Sequence, residues 1–341
     1  VVAQNFKRID SLALNAPYQF TKTPDDLAAY CQANALNEEE RVRFFYVWVA
    51  RHIQYDSLEA KLITRVTEND EGFIKQLPPS VFQSRKAVCS GYTNLFGLLC
   101  EKVGMPHRYV SGRVKENDTI IEPLHAWSIV RVSGQWQLFD VTWASNALER
   151  DSQFLNPRFN AYFNEHPDSS LKKHLAFDPV FQLKTQPVNW LSPKKPLEVV
   201  DFQSILTAEM AKDSATKNWL SAKRAYAFAP EDSATVLRFA QTQFKLSSQY
   251  WKNAITVWNE FFQKHSSNYT QFSKAEAQKW KERFFALRPA LIECLNLNLE
   301  IKDLLDDEEK LKIINERTNN ITQLVTYISK AMAEMEKILA R

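Results

Sequence analysis

Cys89, His125 and Asp140 are the residues whose types and order could do covalent chemistry in this chain. A thiol attacks a carbonyl when an imidazole takes its proton and a carboxylate holds that imidazole in place. Together the three make nucleophile, base and orienter for amide chemistry. Cys89 opens an apolar run in which Leu95, Phe96, Leu99 and Val103 recur at helical spacing. A thiol at a helix N-terminus sits at the positive end of the helix dipole, which favours the thiolate. His125 heads AWSIVRV, which reads as a strand, and Asp140 ends WQLFD, which reads as a second. Ser133-Gly134 is the expected hairpin turn between them. The hairpin makes His125 and Asp140 cross-strand neighbours. Cys89 meets His125 if its helix packs its N-terminus against that edge. The Cys89 backbone N–H is then the natural oxyanion donor.

Other elements must support this hairpin and helix. Residues 1–22 read as extended and mostly polar. Thr23-Pro24-Asp25-Asp26 is a helix start, and Asn37 with Glu40 is a capping box for the next helix. That helix carries an apolar stripe of Val42, Phe45, Tyr46, Val49 and Ile53 and ends near Tyr55-Asp56, with Trp48 as a core residue beside the stripe. Residues 57–80 read as a connecting segment on the rim of the site. Trp127 and Trp143 flank the site on their strands, more as core than as walls of a substrate tunnel.

Four stretches resemble the transglutaminase-like superfamily: VWVARHIQYD (47–56), AVCSGYTNLFGLLCEKVGMPHRYVSG (87–112), HAWSIVRVSGQWQLFDVTWA (125–144) and, more weakly, AYFNEHP...HLAFDPVFQL (161–183). They cover most of residues 40–183. The likeness is to the branch of bacterial domains and kyphoscoliosis-peptidase-type domains. It implies a papain-like core, with Cys89 as nucleophile, His125 as general base and Asp140 as its orienter. Gln83 stands six residues before Cys89, a papain-type spacing for an oxyanion donor, but it reads as a surface glutamine. His174 lies in the weaker stretch and reads as structural.

Composition excludes several classes. Charged residues are 24% and hydrophobic residues 45% of 341, which is ordinary for a globular protein with room for two domains. The net charge of +3 argues for no nucleic-acid partner, and no binding motif contradicts that. No apolar run is long enough to span a bilayer. The four cysteines are Cys31, Cys89, Cys100 and Cys294. Cys89 and Cys100 share one helix and stand roughly 16 Å apart, too far for a disulfide; the other three read as core thiols. His52, His107, His166, His174 and His265 show no paired ligand spacing, so no metal is assigned, and no cofactor is implied. Val1-Val2-Ala3 before Gln4 fits the small residues of a signal-peptidase site, which would place the protein outside the cytoplasm, periplasmic or secreted. Asn117-Asp118-Thr119, Asn268-Tyr269-Thr270 and Asn320-Ile321-Thr322 are sequons by pattern.

All six glycines lie between Gly72 and Gly134, so tight turns are confined to the first half. Pro193-Lys194-Lys195-Pro196 marks the expected domain boundary. Beyond about Asp201 the chain reads as helix. Ser273 and Glu276 form a capping box, and Pro289 should kink or break the run that follows. The last helix carries a heptad seam of Leu311, Ile314, Thr318, Ile321, Val325, Ile328, Met332, Met335 and Leu339. It packs within its own domain in the plain reading and makes a homodimer or partner contact in the sharper one. The expected fold is α+β: a papain-like transglutaminase core in residues 1–196, then an all-α helical domain in 197–341. The expected function is thiol-dependent acyl transfer or hydrolysis at amide bonds of protein or peptide substrates. Peptidase, transglutaminase and deamidase share that first half-reaction. The competing reading is a catalytically silent binding or scaffold module.

Overall fold

The computed structural model describes residues 5–62, 71–150, 157–190, 199–265, 272–304 and 308–341. Residues 1–4, the Pro193–Pro196 boundary and the Asn268 sequon lie outside them. Tertiary contacts divide the chain into two compact units, Val1–Ala211 and Lys212–Arg341. The fold is α+β: helices and sheets in the first unit, helices in the second.

The first unit runs α1 (Lys7–Leu14), α2 (Pro24–Asn34), α3 (Glu38–His52), β1 (Gln54–Tyr55), α4 (Ser57–Leu62), α5 (Glu71–Lys75), α6 (Pro78–Ser84), β2 (Lys86–Ala87) and α7 (Cys89–Lys102). Strands β3 (His107–Glu116), β4 (Thr119–Val132) and β5 (Gln135–Phe139) follow. Then come α8 (Val141–Arg150), α9 (Pro157–Asn160), β6 (Phe163–Glu165), α10 (Pro167–Ser170), β7 (His174–Ala176) and α11 (Phe202–Glu209). Five strands form one antiparallel sheet in the order β6-β5-β4-β3-β7. β1 and β2 pair in parallel.

The helix starts follow their caps. Thr23 and Asp26 exchange both bonds of a capping box before α2. Asn37 accepts the Glu40 amide at 2.9 Å before α3, but Glu40 turns its own carboxylate to Arg8 and the Leu36 amide, so that box is not closed. α3 is buried on all sides from Val42 to Ala50 rather than along one stripe, and it ends at His52, short of Tyr55. Trp48 is core: its ring stacks on His52 and Phe82. Within its described residues the N-terminal segment is largely helical rather than extended. α1 buries Ile9 and Ala13, and its Asp10 pairs with the buried Arg43 of α3 at 2.7 Å. A polar-looking segment is helical here because one fully engaged ion pair fixes it to the core. The segment 57–80 likewise holds α4, α5 and the start of α6 within its described residues.

The hairpin turn is as expected. Ser133 (φ 49°) and Gly134 (φ 82°) both adopt left-handed backbone, and Val132 pairs with Gln135 across them. The strands differ in length. β4 begins at Thr119, which places His125 inside it, and β5 stops at Phe139.

α11 packs in the first unit, where Leu206 joins the cluster of Val110, Trp127 and Phe181 and Glu209 pairs with the buried Arg108.

The second unit comprises α12 (Ser214–Phe228), α13 (Ser233–His265), α14 (Lys274–Ile301) and α15 (Glu308–Ala340). Pro289 does not break α14. It lies on the exposed face, where water can satisfy the carbonyl its ring leaves without a partner. α15 buries Ile314, Arg317, Ile321, Leu324, Ile328, Ala331 and Met335. This seam keeps one expected row and replaces Thr318, Val325 and Met332 with the residue before each. Arg317 joins it because Ser247 accepts its guanidinium at 3.0 Å and its charge lies over the Phe244 ring. The buried residues face α13 and α14 of the same unit, so the seam offers no support for a dimer.

Candidate active site

Several contacts fix the head of α7. Gln76 is buried, and its side-chain oxygen accepts the Val88 amide at 2.9 Å just before the helix. A Cβ on Gly91 would lie 2.4 Å from that oxygen, so the first turn requires glycine. Tyr92 donates its hydroxyl to the Ile53 carbonyl at 2.6 Å, which ties α7 to the end of α3. Val88 contributes no side-chain cap. The first-turn amides, that of Cys89 included, therefore have no acceptor within the helix and can serve an anion.

Cys89 is half-buried at this turn. It lines a cavity of about 570 Å³ with Tyr55, His125, Trp143, Tyr162 and Lys173. Gln83 is exposed on α6 and does not line that cavity. Cys31, Cys100 and Cys294 are buried, and none of the four thiols is in a disulfide. Burial pushes the pKa of those three upward.

His125 donates from Nε2 to Asp140 Oδ2 at 2.8 Å. A carboxylate only accepts, so Nε2 carries the hydrogen and Nδ1 is the nitrogen left for the thiol. Trp143 stacks on the His125 ring at 5.2 Å between centroids, and Trp127 lies at 6.0 Å. Trp143 stands on α8 and lines the cavity, whereas Trp127 is a buried strand residue. Asp140 follows β5 and precedes α8. If the β4–β5 register continued, it would face Trp127, making His125 its diagonal neighbour on the same face. Its Oδ1 accepts the Trp143 amide at 2.9 Å, capping the new helix.

A second histidine reaches the same carboxylate. His174 Nε2 lies 3.0 Å from Asp140 Oδ2, and the residue is buried. Gly112 makes this possible, because a Cβ there would fall 2.1 Å from the Leu175 carbonyl oxygen and drive β7 off the sheet. The sequence signal was the weak HLAFDP stretch, which has no local pattern pointing to the site.

The electrostatics follow from these contacts. Burial works to lower the His125 pKa. The charge and hydrogen bond of Asp140, with the hydrogen bond and charge of Cys89, outweigh it and push His125 up to about 10. Burial works to raise Asp140, but the charge of His125 and the hydrogen bonds of both histidines hold it below the usual carboxylate range. The donor atoms of His125, Asp140 and His174 lie within 4.8 Å of one another. Both nitrogens are already at hydrogen-bond distance from one oxygen, so protons satisfy the contacts that a cation would otherwise make.

Residues 25–141 match the family model described as the transglutaminase-like superfamily. The chain is 28% identical over 191 residues to the human (Homo sapiens) kyphoscoliosis peptidase, covering 54% of this chain and 27% of that protein. The mouse (Mus musculus) protein of the same name is 28% identical over 170 residues, covering 48% and 24%. The chain thus spans about a quarter of the length of these curated relatives. A solved structure of a candidate cysteine protease from Cytophaga hutchinsonii is 18% identical, with a TM-score of 0.24 over 41% of this chain and 39% of that one. That overlap is too slight to speak for the fold.

Proposed function

With residues 25–141 as a transglutaminase-like core, we propose that the protein is a thiol acyltransferase or hydrolase acting at amide bonds of proteins or peptides. The observation that carries this reading is one cavity lined by Cys89 and His125, with His125 bound to Asp140 through Nε2, which leaves Nδ1 for the thiol. His125 Nδ1 takes the Cys89 proton, and the sulfur attacks the amide carbonyl. The Cys89 amide receives the developing oxyanion. The imidazolium returns its proton to the departing amine or ammonia, leaving a thioester on Cys89. Water completes a hydrolysis; a second amine completes a transfer. Asp140 orients the imidazole and stabilises its charge.

The test supplies glutamine-containing peptides with and without hydroxylamine and follows products by mass spectrometry. Cleaved peptide, deamidated glutamine or hydroxamate, each abolished in Cys89→Ala, supports the reading and names the second half-reaction. No product and no covalent adduct on Cys89 would return the protein to the binding-module reading.

A further inference from the structure

Asp140 Oδ2 is shared by His125 and His174. Resting on the acyl-transfer reading, we infer that His174 is a positioning residue, a neutral donor that fixes the Asp140 carboxylate so that its charge serves His125 alone.

The geometry sets the tautomer. His174 Nε2 faces an acceptor-only carboxylate at 3.0 Å, so the hydrogen sits on Nε2. Nδ1 looks the other way, toward the Ser170 hydroxyl at 3.4 Å and Glu165 Oε2 at 3.7 Å. The ring is packed between Trp143 and Trp127, at 4.4 and 4.8 Å between centroids. Burial lowers the His174 pKa against the hydrogen bond and charge of Asp140. Glu165 stands behind the ring at 3.7 Å, beyond hydrogen-bond distance, and burial raises its pKa to about 7 against the pull of Lys173, so it does not hold a proton on Nδ1 as Asp140 does on Nε2. Two imidazolium rings on one oxygen would divide its charge and repel each other. A neutral donor adds a hydrogen bond and no competing charge. With Trp143 N–H on Oδ1, both carboxylate oxygens are then held.

The experiment compares wild type, His174→Phe and His174→Gln, each checked for folding by circular dichroism. Phenylalanine keeps the ring and removes the donor; glutamine can place an amide N–H near the Nε2 position. The readouts are the pH profile of Cys89 alkylation by iodoacetamide and kcat against KM on the peptide substrate. The expected result is a loss of roughly 10- to 100-fold in alkylation rate and kcat for His174→Phe, with KM little changed and most of the loss restored in His174→Gln. A folded His174→Phe with wild-type rates overturns the proposal, and so does an equal loss in both variants, which would assign the effect to shape. Nitrogen-15 NMR of histidine-labelled wild type tests the same point without a substitution. His174 should be a neutral Nε2–H tautomer at neutral pH, as its acceptor-only partner and lowered pKa require; an imidazolium or an Nδ1–H tautomer there overturns the inference. Slow Cys89 alkylation in wild type would count against acyl transfer, while the tautomer would still report whether His174 donates to Asp140.

Discussion

Asp140 holds His125 at 2.8 Å with one carboxylate oxygen and caps the helix of Trp143 with the other at 2.9 Å. One side chain thus joins the local folding of α8 to the orientation of the imidazole. Trp143 in turn stacks on His125, so the cap also places a wall of the site.

These two roles separate by substitution. Asp140→Asn keeps an N-cap acceptor, so it should spare the cap and lose only the stabilisation that comes from the charge pair with His125. Asp140→Ala removes the cap and should cost about 0.5–2 kcal/mol from that loss alone. Both should lower activity by on the order of 10²–10⁴-fold. Urea unfolding and a rate assay on the two variants check this. Wild-type activity in folded Asp140→Asn would remove the carboxylate from the mechanism.

The His125–Asp140 pair makes a definite pH prediction. His125 is raised from 6.5 to about 10 in the folded protein. Its stabilisation is therefore complete below the unfolded value and is lost as pH rises toward 10. Asp140 is held low, so its share is present above the ordinary carboxylate value and is lost in acid. His125→Gln should flatten the fall in stability on the alkaline side. Denaturant titrations of both proteins at matched pH values read the difference directly, and parallel curves would exclude a raised His125.

Iodoacetamide should modify Cys89 far faster than the other three thiols in the folded protein. Cys31, Cys100 and Cys294 are buried, and burial disfavours their thiolates. Peptide mapping after brief labelling at neutral pH resolves the four sites. Slow, uniform labelling would argue against a reactive Cys89.

Gly97 lies in the middle of α7 against His107. A Cβ there would fall 2.2 Å from the His107 ring, which is itself hydrogen-bonded to Ser128 at 3.1 Å. Gly97→Ala should destabilise by about 1–3 kcal/mol through overpacking. Because α7 must shift to relieve the clash, it should also slow Cys89 alkylation. Gly104→Ala meets no atom but has to adopt φ +79°, so it should destabilise without touching Cys89 reactivity.

α11 buries Leu206 among Val110, Trp127 and Phe181. A chain ending at Ala211 should therefore keep a cooperative melt and near-native circular dichroism, while one ending at Trp190 should melt earlier. Equal melting of the two truncations would mean that α11 adds nothing to the first unit.

Local chemistry made much of this protein legible from its sequence. Thr23 and Asp26 dictate a capping box, Ser133-Gly134 a two-residue turn, and the apolar spacing after Cys89 a helix that starts at the thiol. Each depends on residues within one or two turns of chain, and the structure places each element there. Long-range pairing decided the rest. α1 forms because Asp10 finds Arg43, 33 residues away. α15 turns its seam by one residue because Arg317 has partners on α13. His174 reaches Asp140 only because Gly112 admits β7 beside β3, a contact that no window of local sequence contains. Cys89, His125 and Asp140 were readable one by one as candidates, whereas His174 read as structural. Their number around a single carboxylate oxygen was set by strand order, which is a property of the packed sheet.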